Sequence, residues 1–170
     1  MDERLSSLRN PRNLVIIGLM SVILVLAVYA MLVDMSDSSS GSVTSPVPST
    51  FTVNGKTYAF TYTATDDTQR AAGLMNKQVS NTTTMLFAFP SMGAYQFWMY
   101  DTNTSLDMIW ISAAGNLGTV VYVFADAQPC YTQILCPDYG PSSPANYVIE
   151  AKAGFAEANG IVAGTQIQFG

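Results

Sequence analysis

The feature that most constrains this chain is a run of 20 uncharged, mostly apolar residues from Leu14 to Val33. As a helix rising 1.5 Å per residue it would be about 30 Å long, the thickness of the hydrocarbon core of a bilayer. Three arginines precede the run, and Asp34 and Asp37 follow it. Because arginines and lysines that flank a membrane helix are enriched on its cytoplasmic side, the sequence predicts a single-pass anchor over 14–33. Residues 1–13 would lie in the cytoplasm and the remainder outside.

Two other interpretations of this run are less favoured. A cleaved signal peptide has an apolar core of about 7–15 residues, which is shorter than this run. The segment Ala27–Tyr29 imitates a cleavage pattern, but Tyr29 and the apolar residues after it favour retention. A prepilin-like helix would need a charged processing site directly before the run, and the sequence shows no such site there. Residues 34–50 are rich in Ser and Pro and are interpreted as a linker that spaces the outer domain from the membrane.

Composition excludes several functions for the outer part, residues 51–170. It contains four cations, namely Lys56, Arg70, Lys77 and Lys152, in a chain of net charge −5. No basic stripe is available for phosphates, so no nucleic-acid partner is expected. The chain has no histidine, the commonest general base and metal ligand. We therefore expect no metal or cofactor, and an enzyme is the less favoured interpretation.

Residues 51–170 carry the pattern of a mainly β domain. Asn54-Gly55 between two alternating runs predicts a hairpin, and 65–73 predicts a short helix capped by Thr65 or Asp66 and ended by Gly73. The other expected strands and the expected final helical turn are Met85–Phe89 stopped by Pro90, Tyr95–Tyr100, Leu106–Ser112, Leu117–Phe124, Tyr147–Ala151, the turn Phe155–Asn159, and Ile167–Phe169. Together they predict a small barrel or sandwich of seven or eight short strands with one or two short helices.

An ordered set of short segments in this domain resembles the DUF192 (UPF0127) family over Phe51–Phe169. The segments are 70–75 (RAAGLM), 85–89 (MLFAF), 97–102 (FWMYDT), 106–111 (LDMIWI), 148–154 (VIEAKAG) and 160–164 (GIVAG). The resemblance implies a compact β-rich fold, often exported or membrane-anchored, with no established reaction. The chain departs from the family pattern at Thr84, Lys77 and Ser105, and the loop between Cys130 and Cys136 looks like an elaboration.

Asp107 and Glu150 are carboxylates on strand faces that otherwise hold apolar residues. Such a group either accepts hydrogen bonds in the interior or lines a pocket. For Asp107 the favoured interpretation is that it accepts hydrogen bonds from backbone N–H groups and fixes a loop. If both faced one cavity, they would bind a cation or polar ligand, or act as an acid/base pair.

Arg70 and Trp98 complete the candidate ligand-binding residues. Arg70 would lie on a pocket rim, although the segment after it is also explained by the end of a helix, with Leu74 and Met75 filling the core. Trp98, with Phe97 and Met99, would form an aromatic platform, although one face of that strand is expected to be core. A copper site built from methionines is the less favoured interpretation, because core packing also explains these residues.

Two kinds of covalent feature are expected outside the membrane. Cys130 and Cys136 predict a disulfide that closes a loop, because redox catalysis favours a Cys-x-x-Cys spacing. Asn81 and Asn103 begin glycosylation sequons.

Two functions follow as hypotheses. The first is a membrane-anchored interaction module, an accessory subunit of a larger membrane or envelope complex. The alternative is a protein that binds a small polar ligand such as a saccharide, with hydrolysis by Asp107 and Glu150 as an extension.

Overall fold

The computed structural model describes residues 46–170 of the chain. Segments 1–13 and 14–33, and the linker 34–50 up to residue 45, lie outside the described residues. In residues 46–170 no helix has both the length and the apolar character needed to cross a membrane.

The domain is built on one eight-stranded sheet that curves into a half-barrel. The strands in chain order are β1 (Thr50–Val53), β2 (Lys56–Ala59), β3 (Tyr62–Ala64), β4 (Thr84–Gly93), β5 (Leu106–Ala114), β6 (Leu117–Ala127), β7 (Ala145–Lys152) and β8 (Gln166–Phe169). Their spatial order is β2-β1-β8-β6-β5-β7-β4-β3. All the pairings are antiparallel except β3 with β4. The predicted mainly β class and strand count are confirmed, with all eight strands in a single sheet.

Local sequence signals account for the first elements. Asn54 and Gly55 have φ of 47° and 78°, the left-handed values that a tight hairpin turn requires, and they join Val53 to Lys56. Helix α1 (Asp67–Ala72) begins where the Asp66 side chain accepts a hydrogen bond from the backbone N–H of Gln69. It ends at Gly73, as predicted. A second short helix, α2 (Phe155–Ala158), follows β7.

The central strands bury both of their faces. On β5, Leu106, Met108 and Trp110 belong to one hydrophobic cluster, and Ile109 and Ile111 belong to another. The alternation read from the sequence is therefore confirmed, and each face packs on its own core. Because neither face of β5 meets solvent, any carboxylate on this strand is carried into the interior.

Two predicted details of the strands were wrong. Strand β4 runs through Pro90 to Gly93, because its pairing with β7 is interrupted between Ala88 and Gly93, and a residue without an N–H is tolerated in such an irregular stretch. Residues 95–100 form no strand of the sheet and make only isolated bridges, Phe97 with Tyr139 and Tyr100 with Cys130. The partner of this segment is a loop rather than a sheet strand.

The predicted disulfide between Cys130 and Cys136 is present. It closes a loop that contains a single 3-10 turn, Gln133–Leu135.

Candidate ligand-binding site

Asp107 is buried, and its two oxygens bind the end of β6 and helix α2. Its side chain is 1% exposed, and its two oxygens accept hydrogen bonds from the backbone N–H groups of Asp126 at 3.0 Å and Ala156 at 2.8 Å. Asp126 has a positive φ of 58° and lies within the bulge of β6 between Phe124 and Ala127, and Ala156 lies in α2. The favoured interpretation of Asp107 as an interior acceptor is confirmed.

Glu150 lies on the opposite face of the sheet from Asp107. In the register between β5 and β7, Asp107 pairs with Ala151, and Glu150 pairs with Met108. Because neighbouring residues of a strand point to opposite faces, the two carboxylates point away from each other. The structure therefore does not bring Asp107 and Glu150 into one cavity, and the conditional acid/base pair is not formed.

Glu150 differs from Asp107 in lacking partners. It is 4% exposed, and its buried Oε2 has no hydrogen-bond partner within residues 46–170. Burial raises the pKa of this carboxyl from 4.5 to about 8, because the charged form loses its hydration and gains no compensating partner. At neutral pH the group is therefore mainly protonated. A buried polar atom left in this state requires an explanation.

The Glu150 side chain borders a small cavity with a volume of about 20 Å³. The segment Arg70–Met75, which contains the end of α1, forms one side, and Phe97, Trp98, Tyr100 and Thr102 form another. A cavity of about this size holds one water-sized group. We call this space, defined by Glu150, Arg70, Trp98, Tyr100 and Thr102, the Glu150 cavity.

Arg70 stands where the Glu150 cavity meets the surface. One guanidinium N–H donates to the backbone oxygen of Ala88 at 2.8 Å, and another donates to Asp67 at 2.6 Å. The group also lies 5.1 Å from the centre of the Phe89 ring. Arg70 is 15% exposed whereas the Asp67 side chain is fully exposed, so solvent screens this ion pair and it contributes little to stability.

Residues 97–102, which carry three of the rings beside the cavity, form what we call the aromatic wall. Backbone hydrogen bonds to the segment 130–139 hold this wall in place. Phe97 exchanges two backbone hydrogen bonds of 2.7 Å with Tyr139. Cys130 accepts from the N–H of Asp101 at 2.9 Å and donates to the oxygen of Met99 at 3.1 Å. The Phe97 ring packs edge-on against Phe87 and Trp110, and Trp98 lies beside Tyr100. The wall is therefore held from both ends of the Cys130–Tyr139 segment.

A wider groove adjoins the cavity. It has a volume of about 490 Å³ and is bordered by Asp67, Phe89, Pro90, Tyr95 and Gln96, with four further residues. Those four, Arg70, Ala71, Phe97 and Trp98, also line the Glu150 cavity. The volume falls in the range typical of small-molecule sites, about 300–1,000 Å³.

The structure therefore brings together three of the four candidate residues that the sequence predicts. Arg70, Trp98 and Glu150 converge, and Asp107 belongs to the other face. Tyr100 and Thr102 were missed as lining residues, although they lie in the segment 97–102 that carried the family resemblance. Among residues 46–170, no group of three or more potential metal-ligating side chains is found. Asn81 and Asn103 are both exposed, and their glycosylation stays a prediction.

The family model of DUF192, described as an uncharacterised ACR, matches residues 49–169, well over half of the chain. This chain belongs to the DUF192 family. No curated protein matches this DUF192 chain. A structure of a proposed transcription regulator from Sinorhizobium meliloti 1021 is similar, with 28% identity and a TM-score of 0.60 over 71% of this chain and 90% of that one.

A second similar structure is a protein of unknown function from Novosphingobium aromaticivorans DSM 12444. It shows 25% identity and a TM-score of 0.59, over 72% of this chain and 84% of that one. Both comparisons cover the DUF192 domain and support its fold.

Proposed function

We propose that this DUF192 domain binds a small polar ligand in the Glu150 cavity and the adjoining groove. The unpartnered, buried Oε2 of Glu150 carries the proposal. Leaving such a group unsatisfied is costly, and a ligand group that hydrogen-bonds to it would remove that cost. The neighbouring groove has room for the rest of the ligand, with Arg70 and the Trp98 ring at the junction.

Hydrolysis by a carboxylate pair does not belong to this proposal. Asp107 has both oxygens occupied by backbone N–H groups, and it faces away from Glu150. Acid/base work by two carboxylates needs both beside the same bond, about 5–10 Å apart. Glu150, Arg70 and Trp98 are suited to holding a ligand.

The proposed location is the outer face of a membrane. The uncharged run 14–33, the three arginines before it and the two aspartates after it support an anchor with its N-terminus in the cytoplasm. The Cys130–Cys136 disulfide is compatible with an oxidising compartment. In this arrangement the site would meet solutes outside the cytoplasm.

A ligand screen tests the proposal. Full-length protein in detergent micelles is melted in the presence of saccharides, amino acids, polyamines and carboxylic acids, with Glu150→Gln and Glu157→Gln measured in parallel. Glu157 is exposed on α2 and provides a matched loss of one carboxylate. We expect at least one compound to raise the Tm of wild type and Glu157→Gln but not that of Glu150→Gln. Equal shifts in all three proteins would refute a site at Glu150.

A second candidate function, an accessory subunit of a membrane or envelope complex, is supported by the disulfide loop. Ile134 is 94% exposed and Leu135 is 77% exposed, and Tyr131 beside them is also exposed. A covalently closed loop that presents apolar side chains suits a protein contact, since aromatic and aliphatic anchors carry much of the binding energy of interfaces.

Native mass spectrometry after mild detergent extraction tests this second candidate. We expect the wild type to keep a stoichiometric partner protein and an Ile134→Ser/Leu135→Ser variant to lose it. A bare wild-type monomer would exclude the accessory role.

Transcription regulation, the role named for the Sinorhizobium meliloti protein, has little support here. The domain has four Lys and Arg residues against eight Asp and Glu residues. Nucleic-acid binding draws on several cations grouped on one surface to neutralise phosphates. A membrane-anchored protein of this charge is better suited to small solutes or proteins.

A further inference from the structure

From the shape and chemistry of the Glu150 site we propose that its ligand is a small zwitterion of the amino-acid class, with its ammonium group in the cavity and its carboxylate on Arg70. This inference rests on the proposed function, because it names the ligand that the same site would take. Four features of the site support it.

The size of the cavity limits what can reach Glu150. A volume of about 20 Å³ admits a single water-sized group, such as a terminal –NH₃⁺ or –OH. A quaternary ammonium, a sugar ring or a carboxylate would not fit without displacing the aromatic wall. The group at Glu150 must therefore be the tip of a ligand whose body lies in the groove.

The chemistry of the cavity favours a cation over a neutral hydroxyl. The Glu150 carboxyl supplies a potential negative charge, and the Phe97, Trp98 and Tyr100 rings that line the cavity attract cations through their faces. An ammonium group offers three donors and no acceptor, which matches a site with an unpartnered carboxyl oxygen. A hydroxyl would hydrogen-bond to the protonated carboxyl without any charge attraction, whereas an ammonium forms the stronger charge-assisted pair with the ionised carboxylate.

Arg70 supplies the complementary half of the site. Of the five guanidinium N–H groups, one donates to Ala88 and one to Asp67, which leaves three without partners within residues 46–170. The Asp67 carboxylate already lies on this guanidinium in full solvent exposure, showing that an anion can bind there. A ligand carboxylate would replace Asp67 and form the stronger, paired contact that arginine makes with carboxylates.

The groove fits the remaining part of an amino acid. Phe89, Tyr95 and Phe97 border it, and the Phe89 and Tyr95 rings stack on each other at 3.5 Å between centres. These rings would contact an apolar or aromatic side chain. The ligand therefore has three points of attachment, at Glu150, at Arg70 and at the stacked rings.

Binding of an ammonium group would also be linked to pH. Arg70 and Tyr100 are the other titratable side chains that line the cavity, and β4 and β5 present Met85 and Met108 opposite Glu150. Because burial raises the pKa of Glu150 to about 8, an ammonium must displace a proton from Glu150 when it binds below that pH. Affinity should then rise about tenfold per pH unit between pH 6 and 7.5.

The test uses full-length protein in detergent micelles. The twenty common L-amino acids are first screened by thermal shift, beside D-glucose and potassium chloride. The best amino acid is then compared by calorimetry with its decarboxylated amine and its deaminated acid, from pH 6 to 7.5. We expect the amine to bind about tenfold more weakly and the acid at least a hundredfold more weakly. We also expect affinity for the amino acid to rise with pH in wild type and in the exposed control Glu157→Gln, while Glu150→Gln shows no measurable binding at any of these pH values.

Each other outcome is decisive. If glucose stabilises wild type but not Glu150→Gln, and no amino acid does, the ligand class is wrong while the proposed binding function stands. A shift produced by potassium chloride alone would assign the cavity to a monovalent ion and overturn the zwitterion. If no compound of any class distinguishes wild type from Glu150→Gln, both proposals fall. Should Glu150→Gln not fold, Trp98→Ala provides the same comparison from the groove side.

Discussion

Asp107 and Glu150 are two buried carboxylates on paired strands of one sheet, and they have opposite surroundings. Both oxygens of Asp107 accept hydrogen bonds from backbone N–H groups, so this side chain joins β5 to the bulge of β6 at Asp126 and to α2. Glu150 faces the other core with Oε2 unpartnered among residues 46–170, beside a cavity. Burial alone therefore does not mark a functional carboxylate. The two carboxylates differ in whether their oxygens already have hydrogen-bond partners: those of Asp107 do, and Oε2 of Glu150 does not.

The largest effect of a substitution at a fixed, neutral pH is expected from removing the structural carboxylate. Asp107→Ala would leave two N–H groups without acceptors, each costing about 1–3 kcal/mol. We expect the free energy of unfolding to fall by about 3 kcal/mol in urea titrations of the full-length protein. The matched variant at the exposed Glu157, Glu157→Ala, should change stability little. A loss of less than about 1 kcal/mol at Asp107 would remove the contrast between the two carboxylates.

Removing the disulfide tests the surroundings of Glu150. Opening the loop of Cys130–Cys136, which spans a sequence separation of 6, in a Cys130→Ser/Cys136→Ser variant should cost about 2 kcal/mol by loop-closure entropy. Because Cys130 and Tyr139 hold the Phe97–Asp101 backbone, ligand affinity at Glu150 should fall too. Calorimetry and urea titration measure the two effects. Unchanged ligand affinity in the variant would show that residues 97–102 keep their conformation without the disulfide.

A pH-dependent effect is expected at Glu150 itself. Its pKa is raised from 4.5 to about 8 in the folded state, so the unfolded chain binds fewer protons between these pH values. This contribution to stability is fully present below pH 4.5 and is lost as pH rises to about 8, by at most about 1.4 kcal/mol per pH unit. As pH rises from 4.5 to about 8, the unfolding free energy of wild type should therefore fall steadily relative to that of Glu150→Gln. A constant difference across this range would contradict a desolvated Glu150.

The smallest effect is expected at the rim of the groove. Asp67→Asn removes a fully exposed ion-pair partner of Arg70, and exposed pairs contribute little to stability. The Tm should not change measurably, while affinity for an anionic or zwitterionic ligand should rise slightly because Arg70 becomes free. Weaker binding in this variant would place the ligand carboxylate elsewhere.

The sequence predicted those parts of the fold that depend on local chemistry. The hairpin follows from Asn54-Gly55, the cap of α1 from Asp66, and the two faces of β5 from its strict alternation. The predicted end of the strand at Pro90 was wrong, because β4 tolerates the proline in an irregular stretch of its pairing with β7. The predicted strand 95–100 was wrong, because this segment pairs with a loop far along the chain and not with the sheet.

The candidate site was predictable only in part for the same reason. Arg70, Trp98 and Glu150 were recognised as unusual residues, but nothing in the sequence showed that they converge. The relation between Asp107 and Glu150 depends on the register of β5 against β7, which pairs Met108 with Glu150. A slip of one residue would put both carboxylates on one face. Register of this kind is decided by the packing of the whole sheet.

The most direct test of the account is a measurement of the protonation of Glu150. The carboxyl carbon of Glu150 in isotope-labelled protein is followed by NMR from pH 3 to 10, with Glu150→Gln used to assign its signal. We predict a midpoint near pH 8, which corresponds to a buried carboxyl without partners, and a lower midpoint when a bound ammonium ligand pairs with it. A midpoint near the ordinary value of 4.5 would show that Glu150 is hydrated or already paired, and would contradict the assignment of this cavity as the site.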